Sequence, residues 1–201
     1  MVGAKSAQKT SRGGTKERML QTAVELMAER SAAGVTIDEV VTRSGAPRGS
    51  VYYYFPEGRA QLIAEALERA GQITNAMIAE AFSEGPARGI QLYVKYWTNI
   101  LQHKDFGAGC PIASAAIGGG EIDSSLIPQA DTVFRAWQEL ITSGLVGIGI
   151  TQARAGGLAT LIVTSIEGGL ILARANRDTA PLERVQGELE RILEQALNEK
   201  W

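Results

Sequence analysis

Cysteine and histidine each occur once in the 201 residues, as Cys110 and His103. A lone thiol excludes an internal disulfide and any multi-cysteine metal site, and a lone imidazole leaves no His-based zinc site and few acid–base dyads. No metal ligand set and no cofactor motif is expected. Gly107-Ala108-Gly109 and Gly147-Ile148-Gly149 lack the third glycine and the strand context of a dinucleotide fingerprint. Glu121 and Asp123 have no ligand companions and read as a solvated loop, and a Cys110–His103 nucleophilic pair lacks a third orienting group. Long apolar runs are also missing: Arg135, Gln138, Gln152, Arg154 and Glu167 interrupt the most apolar third, short of the roughly 18 residues a membrane-spanning helix needs. The basic segment Met1–Thr15 is followed by no apolar signal core. A reducing, cytoplasmic setting without membrane contact is therefore expected.

What remains is an ordinary globular composition, 45% hydrophobic and 21% charged, long enough for one large domain or two small ones sharing a long helix. The net charge of −2 hides an asymmetry. Met1–Ala60 holds nine Lys/Arg against six Asp/Glu, and the rest of the chain eleven against sixteen. A basic N-terminal part on an acidic body suits a nucleic-acid reader, because phosphate neutralisation needs local positive charge. On charge alone, a solvated face fits equally well.

Helical periodicity dominates. Leu20, Ala23, Val24 and Met27 mark one apolar stripe between Thr15 and Arg30. Thr36-Ile37-Asp38-Glu39 reads as a capping box, in which the Thr36 hydroxyl and the Glu39 carboxylate both satisfy amides at a helix start. That helix should stop near Ser44-Gly45. A second short helix should run from about Arg48 to Tyr54, with Pro47 tolerated in its first turn. Phe55-Pro56-Glu57-Gly58 breaks it, and Arg59 opens a longer helix with Ile63, Ala66, Leu67, Ala70, Ile73 and Met77 on one face.

Two short helices joined by a glycine-containing turn and packed on a longer one form a helix-turn-helix, whose second short helix enters the major groove. Here that helix would expose Pro47, Arg48, Ser50, Tyr53 and Tyr54, with Val51 and Tyr52 turned partly inward. Arg48 has the fork to hold a guanine edge, and the hydroxyls of Ser and Tyr suit bases or phosphates.

The runs Thr36–Val41, Ser44–Phe55 and Gly58-Arg59 resemble the DNA-binding domain of TetR-family transcriptional regulators. The resemblance implies an all-α fold of about nine helices: an N-terminal three-helix DNA-binding domain and a larger helical domain for a small effector and dimerisation. It further implies a homodimer on a palindromic operator in double-stranded DNA, most often as a repressor. Matched by position, Thr36 donates to a phosphate, Arg43, Pro47 and Arg48 contact bases or backbone, and Tyr52 and Tyr53 contact phosphates. Tyr54 stands where many members carry histidine, and Arg59 replaces a lysine at a helix start that faces a phosphate. Tyr52 also fits a core position, and Arg43 a solvated helix end.

The implied division is a disordered basic arm over 1–14, a DNA-binding domain over 15–60 and an effector-binding and dimerisation domain over 61–201. In the last, Ile90, Tyr93, Val94, Trp97 and Leu101 make a stripe with Tyr96 and Ile100 beside it, and Val133, Phe134, Trp137, Ile141 and Leu145 make another. Gly109–Ser114 resembles a TetR subgroup typified by LmrA and YxaF, linked to antibiotic or flavonoid-like effectors. Tyr93, Tyr96, Trp97, Ile100, Cys110, Ile117, Phe134, Trp137 and Ile141 are the candidate pocket residues for a largely apolar or aromatic effector, with Gln138 and Thr164 as polar contacts. Each also fits ordinary packing. Leu158, Leu161, Ile162, Ser165, Ile166 and Gly169, with Leu182, Val185, Leu189 and Ile192 on the last helix, are the candidate dimer contact. The alternative function is a helical small-molecule-binding protein or enzyme with a vestigial helix-turn-helix.

Overall fold

The computed structural model describes residues 4–118 and 124–198 and, among them, contains nine α-helices, one 3-10 turn and no strand. The helices are α1 (Ala4–Arg30), α2 (Ile37–Ser44), α3 (Ser50–Tyr54), α4 (Arg59–Ser83), α5 (Pro86–His103), α6 (Pro111–Gly118), α7 (Leu126–Gly147), α8 (Gln152–Asn176) and α9 (Ala180–Asn198). The expectations for Glu121, Asp123 and Met1–Gly3 lie outside the described residues. Two compact units form, one from residues 1–70 and 111–130, the other from 71–110 and 131–201.

The first unit is built on α1. Met19, Leu20, Ala23, Leu26 and Met27 are buried, while Val24 is half-buried, so the apolar stripe lies slightly rotated from the expected one. Helical backbone extends back to Ala4, where an unstructured arm was expected through Gly14. Ala4, Lys5, Ala7, Gln8 and Lys9 are good helix formers, and extending an existing helix needs no new nucleus. The Pro111–Ala130 segment, expected in the C-terminal domain, belongs to this unit: the Ala32 amide donates to Ser114 Oγ at 3.1 Å and Gln129 Nε2 to the Ala64 carbonyl at 3.2 Å.

In the second unit Ile90, Tyr93, Val94, Trp97 and Leu101 of α5 are buried together with Val133, Trp137, Ile141 and Leu145 of α7, as their spacing predicts. On α4 the expected stripe fails after Ala70. Ile73 is exposed and Met77 half-buried, and Thr74, Ile78, Ala81 and Phe82 take the inner face instead; a 3.6-residue period drifts over a helix this long.

Helix α8 corrects two expectations. It is long and apolar enough to cross a membrane by length and composition, because Gln152 and Arg154 fall at its start and only Glu167 interrupts its middle. Its Leu158, Ile162, Ile166 and Leu170 are nevertheless buried within the chain. Most of the expected dimer contact is likewise internal: Leu158, Ile162, Ile166, Leu182 and Leu189 are core residues. A Cβ on Gly169 would lie 3.1 Å from Leu182 and 3.2 Å from Val185, so this glycine admits α9 of the same chain and not a partner helix. Leu161 remains exposed, and Ser165, Val185 and Ile192 are half-exposed.

Candidate DNA-reading face and buried polar core

Gly45 sets the geometry of the first site. Its φ of 63° ends α2 in the left-handed region, which costs a residue with a Cβ about 1–2 kcal/mol. The chain then turns through Pro47–Gly49, closed by Ser50 N–H to Pro47 O at 2.8 Å and Val51 N–H to Arg48 O at 3.3 Å. Helix α3 therefore starts at Ser50, two residues later than expected. Val51 and Phe55 anchor it in the core. Its outer face carries Tyr52 and Tyr53, 62% and 67% exposed, with Tyr54 half-buried and edge-on to Tyr53 at 4.9 Å. Tyr52 faces outward, so the inward orientation expected for it is corrected; five residues make too short a turn to bury both it and Val51.

Thr36, Arg43, Pro47 and Arg48 are exposed on the same unit and Ser50 is half-exposed. The Thr36 hydroxyl accepts from the Glu39 amide at 3.2 Å, the first half of the capping box. The second half does not form. Glu39's carboxylate instead bridges Arg30 at 2.8 Å and Arg43 at 3.0 Å, and Arg43 reaches Glu29 at 2.7 Å. Charge-assisted bonds to two arginines outweigh one bond to a backbone amide. Arg43 is held charged beyond its ordinary range, chiefly by its hydrogen bond to Glu29. Arg48 pairs with Asp38, at 2.7 Å, with both side chains more than two-thirds exposed. Water screens such a pair, so Arg48 can exchange Asp38 for a nucleic-acid acceptor at little cost.

Arg59 has a different occupation from the phosphate contact that the resemblance implies. Its Nε donates to Val35 O at 2.6 Å and its Nη2 to Ala33 O at 2.9 Å and Ala32 O at 3.3 Å. Three carbonyls at the turn before α2 are thereby capped by one guanidinium, whose fork a lysine lacks.

The second site is buried. Tyr93 and Trp137 are fully inaccessible and Trp97 nearly so. The Tyr93 ring meets Trp137 edge-on at 6.4 Å, Phe134 meets Trp137 at 5.1 Å, and Tyr96 meets Trp97 at 5.1 Å. In this aromatic setting the Tyr93 hydroxyl, both Trp97 and Trp137 Nε1 atoms, and Glu167 Oε1 are buried without a hydrogen bond. Each such atom costs about 1–3 kcal/mol. Glu167 is half-buried as a residue, but its Oε1 is inaccessible, and burial pushes its carboxyl up to about 7 even though the nearby Cys110 and Tyr93 favour its anion. Burial, with Glu167 and Cys110 adding to it, likewise pushes the Tyr93 phenol well up.

The expected pocket residues thus divide. Tyr93, Trp97, Cys110, Trp137 and Ile141 are buried, and Tyr96, Ile100 and Phe134 border them part-exposed. Ile117, 81% exposed, belongs to the first unit and is no part of this site. Gln138 donates to Thr160 Oγ1 at 3.1 Å in an open cleft of about 320 Å³ between α7 and α8. Thr164 is exposed and donates to Thr160 O at 2.9 Å in its own helix. Their hydroxyl and amide are therefore spent elsewhere. Glu167 was missed by sequence reasoning. It is the only acid of α8, and a lone acid in a long stretch of small and apolar residues is the signal that marks it. Asn75, whose buried Oδ1 has no partner, was missed too; it lines an open groove of about 570 Å³ between α4 and α7. His103 is exposed while Cys110 is buried, and no group of three or more His, Cys, Asp and Glu among the described residues could hold a metal ion.

A short helix held outward over a glycine-ended turn defines a helix-turn-helix DNA-binding protein, here joined to a helical unit with an unsatisfied polar core. Residues 19–66 match the family described as bacterial regulatory proteins, tetR family, and residues 86–188 the C-terminal domain of LmrA/YxaF-like transcriptional regulators. The chain belongs to the TetR family of transcriptional regulators. It is 38% identical over 192 residues to an uncharacterised HTH-type transcriptional regulator of Mycobacterium tuberculosis, covering 93% of this chain and 98% of that one. With the uncharacterised regulator YxaF of Bacillus subtilis it shares 32% over 175 residues, covering 86% and 92%. A solved TetR transcriptional regulator from Chloroflexus aurantiacus superposes with a TM-score of 0.77 at 25% identity, covering 92% and 97%.

Proposed function

We propose that this regulator is a repressor that binds a palindromic operator as a homodimer and leaves it when a small, largely apolar or aromatic molecule enters the second unit. The observation that carries the ligand reading is the set of four polar atoms buried without partners among Tyr93, Trp97, Trp137 and Glu167. Buried polar groups are normally satisfied, and a site in which several converge is organised for something not bound. DNA reading belongs to residues 15–60, with Arg48 on a base edge, Thr36, Ser50, Tyr52 and Tyr53 on phosphates or bases, and Pro47 and Tyr54 shaping the contact. Arg43, held by Glu29 and Glu39, borders this face, and Arg59 positions α2 for it.

The effector and dimerisation part comprises residues 61–201 apart from Pro111–Ala130. Dimerisation is assigned to the outer face of α8, where Leu161, Ile171 and Leu172 are exposed and Gly168 leaves open space. The reading needs no cofactor, metal or catalytic step, and treats α8 as a core helix of a cytoplasmic protein. In the operator-bound state the two recognition helices meet successive major grooves, about 34–36 Å apart. The effector favours a dimer with a different spacing, by no more than its difference in affinity for the two states.

The test is selection from a random DNA pool, followed by anisotropy titration at physiological salt. A palindrome bound at least about a thousand-fold more tightly than scrambled DNA is expected. A folded dimer that enriches no sequence would contradict the operator reading and favour a small-molecule-binding protein with a vestigial helix-turn-helix.

A further inference from the structure

Glu167 is the sole acid of α8, and among the described residues no basic group acts on its carboxyl. The arginines of the same helix, Arg154 and Arg174, are exposed. Tyr93, which acts on that carboxyl, meets Trp137 edge-on, and aromatic faces carry the negative end of a quadrupole. A carboxylate in a dry aromatic enclosure is compensated best by a cation. The two buried indole N–H groups form no hydrogen bond, and the Tyr93 hydroxyl, which forms none of good geometry either, lies beside the Glu167 carboxyl, whose anion it favours. Two complementary demands follow: a positive donor for Glu167, and oxygen acceptors for the indoles of Trp97 and Trp137.

We propose that the effector is a lipophilic amine, protonated at neutral pH and carrying ether, hydroxyl or carbonyl oxygen, whose nitrogen pairs with Glu167 and whose oxygens and apolar body are held by Tyr93, Trp97 and Trp137. The proposal rests on the effector reading given above and names the chemistry of that site. A neutral hydrocarbon would leave all four polar atoms unsatisfied, and an anion would add like charge to Glu167. Because burial holds the carboxyl near neutrality, an arriving ammonium also draws it into its charged form and releases a proton.

The experiment measures binding to the full-length protein by tryptophan fluorescence and calorimetry. The probes are a panel of oxygen-bearing arylalkylamines, propranolol among them, each paired with its uncharged N-acetyl derivative. Amines are expected to bind at least about 10-fold more tightly than their N-acetyl partners, and E167Q to abolish that preference. Calorimetry in buffers of different ionisation enthalpy should show proton release on amine binding to the wild type and none with E167Q. Tyr93→Phe, which keeps the ring, should weaken the amines and their N-acetyl partners alike. N-acetyl derivatives that bind as well as amines, an E167Q variant that keeps the preference, or a panel in which no amine binds would each overturn the proposal. An amine that binds through Glu167 without loosening operator DNA would leave the proposal standing and contradict the release mechanism. A neutral member that binds and does release DNA would do the reverse.

Discussion

The two units handle polar side chains in opposite ways. On the DNA-reading face Arg48, Tyr52 and Tyr53 stand in water, where an unfilled hydrogen bond is made good by solvent, so readiness to bind costs almost no stability. In the second unit the Tyr93 hydroxyl, the two indole nitrogens and Glu167 Oε1 are closed off and unfilled, and the fold carries that cost. Mutations should therefore separate cleanly: surface changes alter DNA affinity at constant stability, and core changes alter stability first.

The sharpest contrast is between two tyrosines. Tyr93→Ala should destabilise the protein by about 3–5 kcal/mol in chemical denaturation, the range for removing a large buried aromatic. Tyr52→Ala should stay within about 0.5 kcal/mol of wild type while weakening DNA binding. Equal stability losses in the two would erase the distinction.

Next in size is a pH effect confined to the core. The folded carboxyl of Glu167 lies near 7 against an ordinary 4.5, so the folded state binds the extra proton between those values. Its contribution to stability is full below about 4.5, falls as pH rises towards 7, and levels off above; the total is roughly 3 kcal/mol. E167Q should flatten this part of the ligand-free stability profile, and an unchanged slope would mean that the carboxyl is solvated.

Arg48→Ala should cost about 1–3 kcal/mol of specific DNA affinity, read by anisotropy against the selected operator and a scrambled control, with the midpoint of unfolding unmoved. The smallest effect is expected at its partner. Asp38→Asn releases Arg48 from its exposed ion pair and removes a charge that repels phosphate, so DNA binding should tighten by up to about 1 kcal/mol. Weaker binding would instead assign Asp38 a part in the contact.

Much of the first unit was legible in the sequence because local chemistry decides it: Gly45, Thr36 and the Phe55–Gly58 break act within a few residues of where they stand. What escaped depended on distant partners. Glu39 leaves its cap for Arg30 on α1 and for Arg43 one turn along its own helix, and Arg59 reaches back over 24 residues to Val35. In the second unit the stripes on α5 and α7 were legible as buried faces. Periodicity could not say whether α8 packs on its own α9 or on a partner, since both demand the same apolar and small residues; Gly169 against Leu182 and Val185 decides it. Glu167 escaped because an acid within a helix reads as a solvated break, and only tertiary packing turns it into a buried carboxyl. The membrane-length character of α8 was hidden by counting Arg135 and Gln138, which belong to α7, together with Gln152 and Arg154 at the very start of α8.

The central claim is that a ligand seated on the unsatisfied polar core controls the DNA-reading face. The measurement that tests it most directly is an anisotropy titration of the selected operator, with and without a compound shown by calorimetry to bind through Glu167, in wild type and E167Q. The expected result is an operator affinity at least about 10-fold lower with the compound in wild type, within the usual range of allosteric coupling, and little change in E167Q. Saturating compound with operator affinity unmoved would contradict the claim.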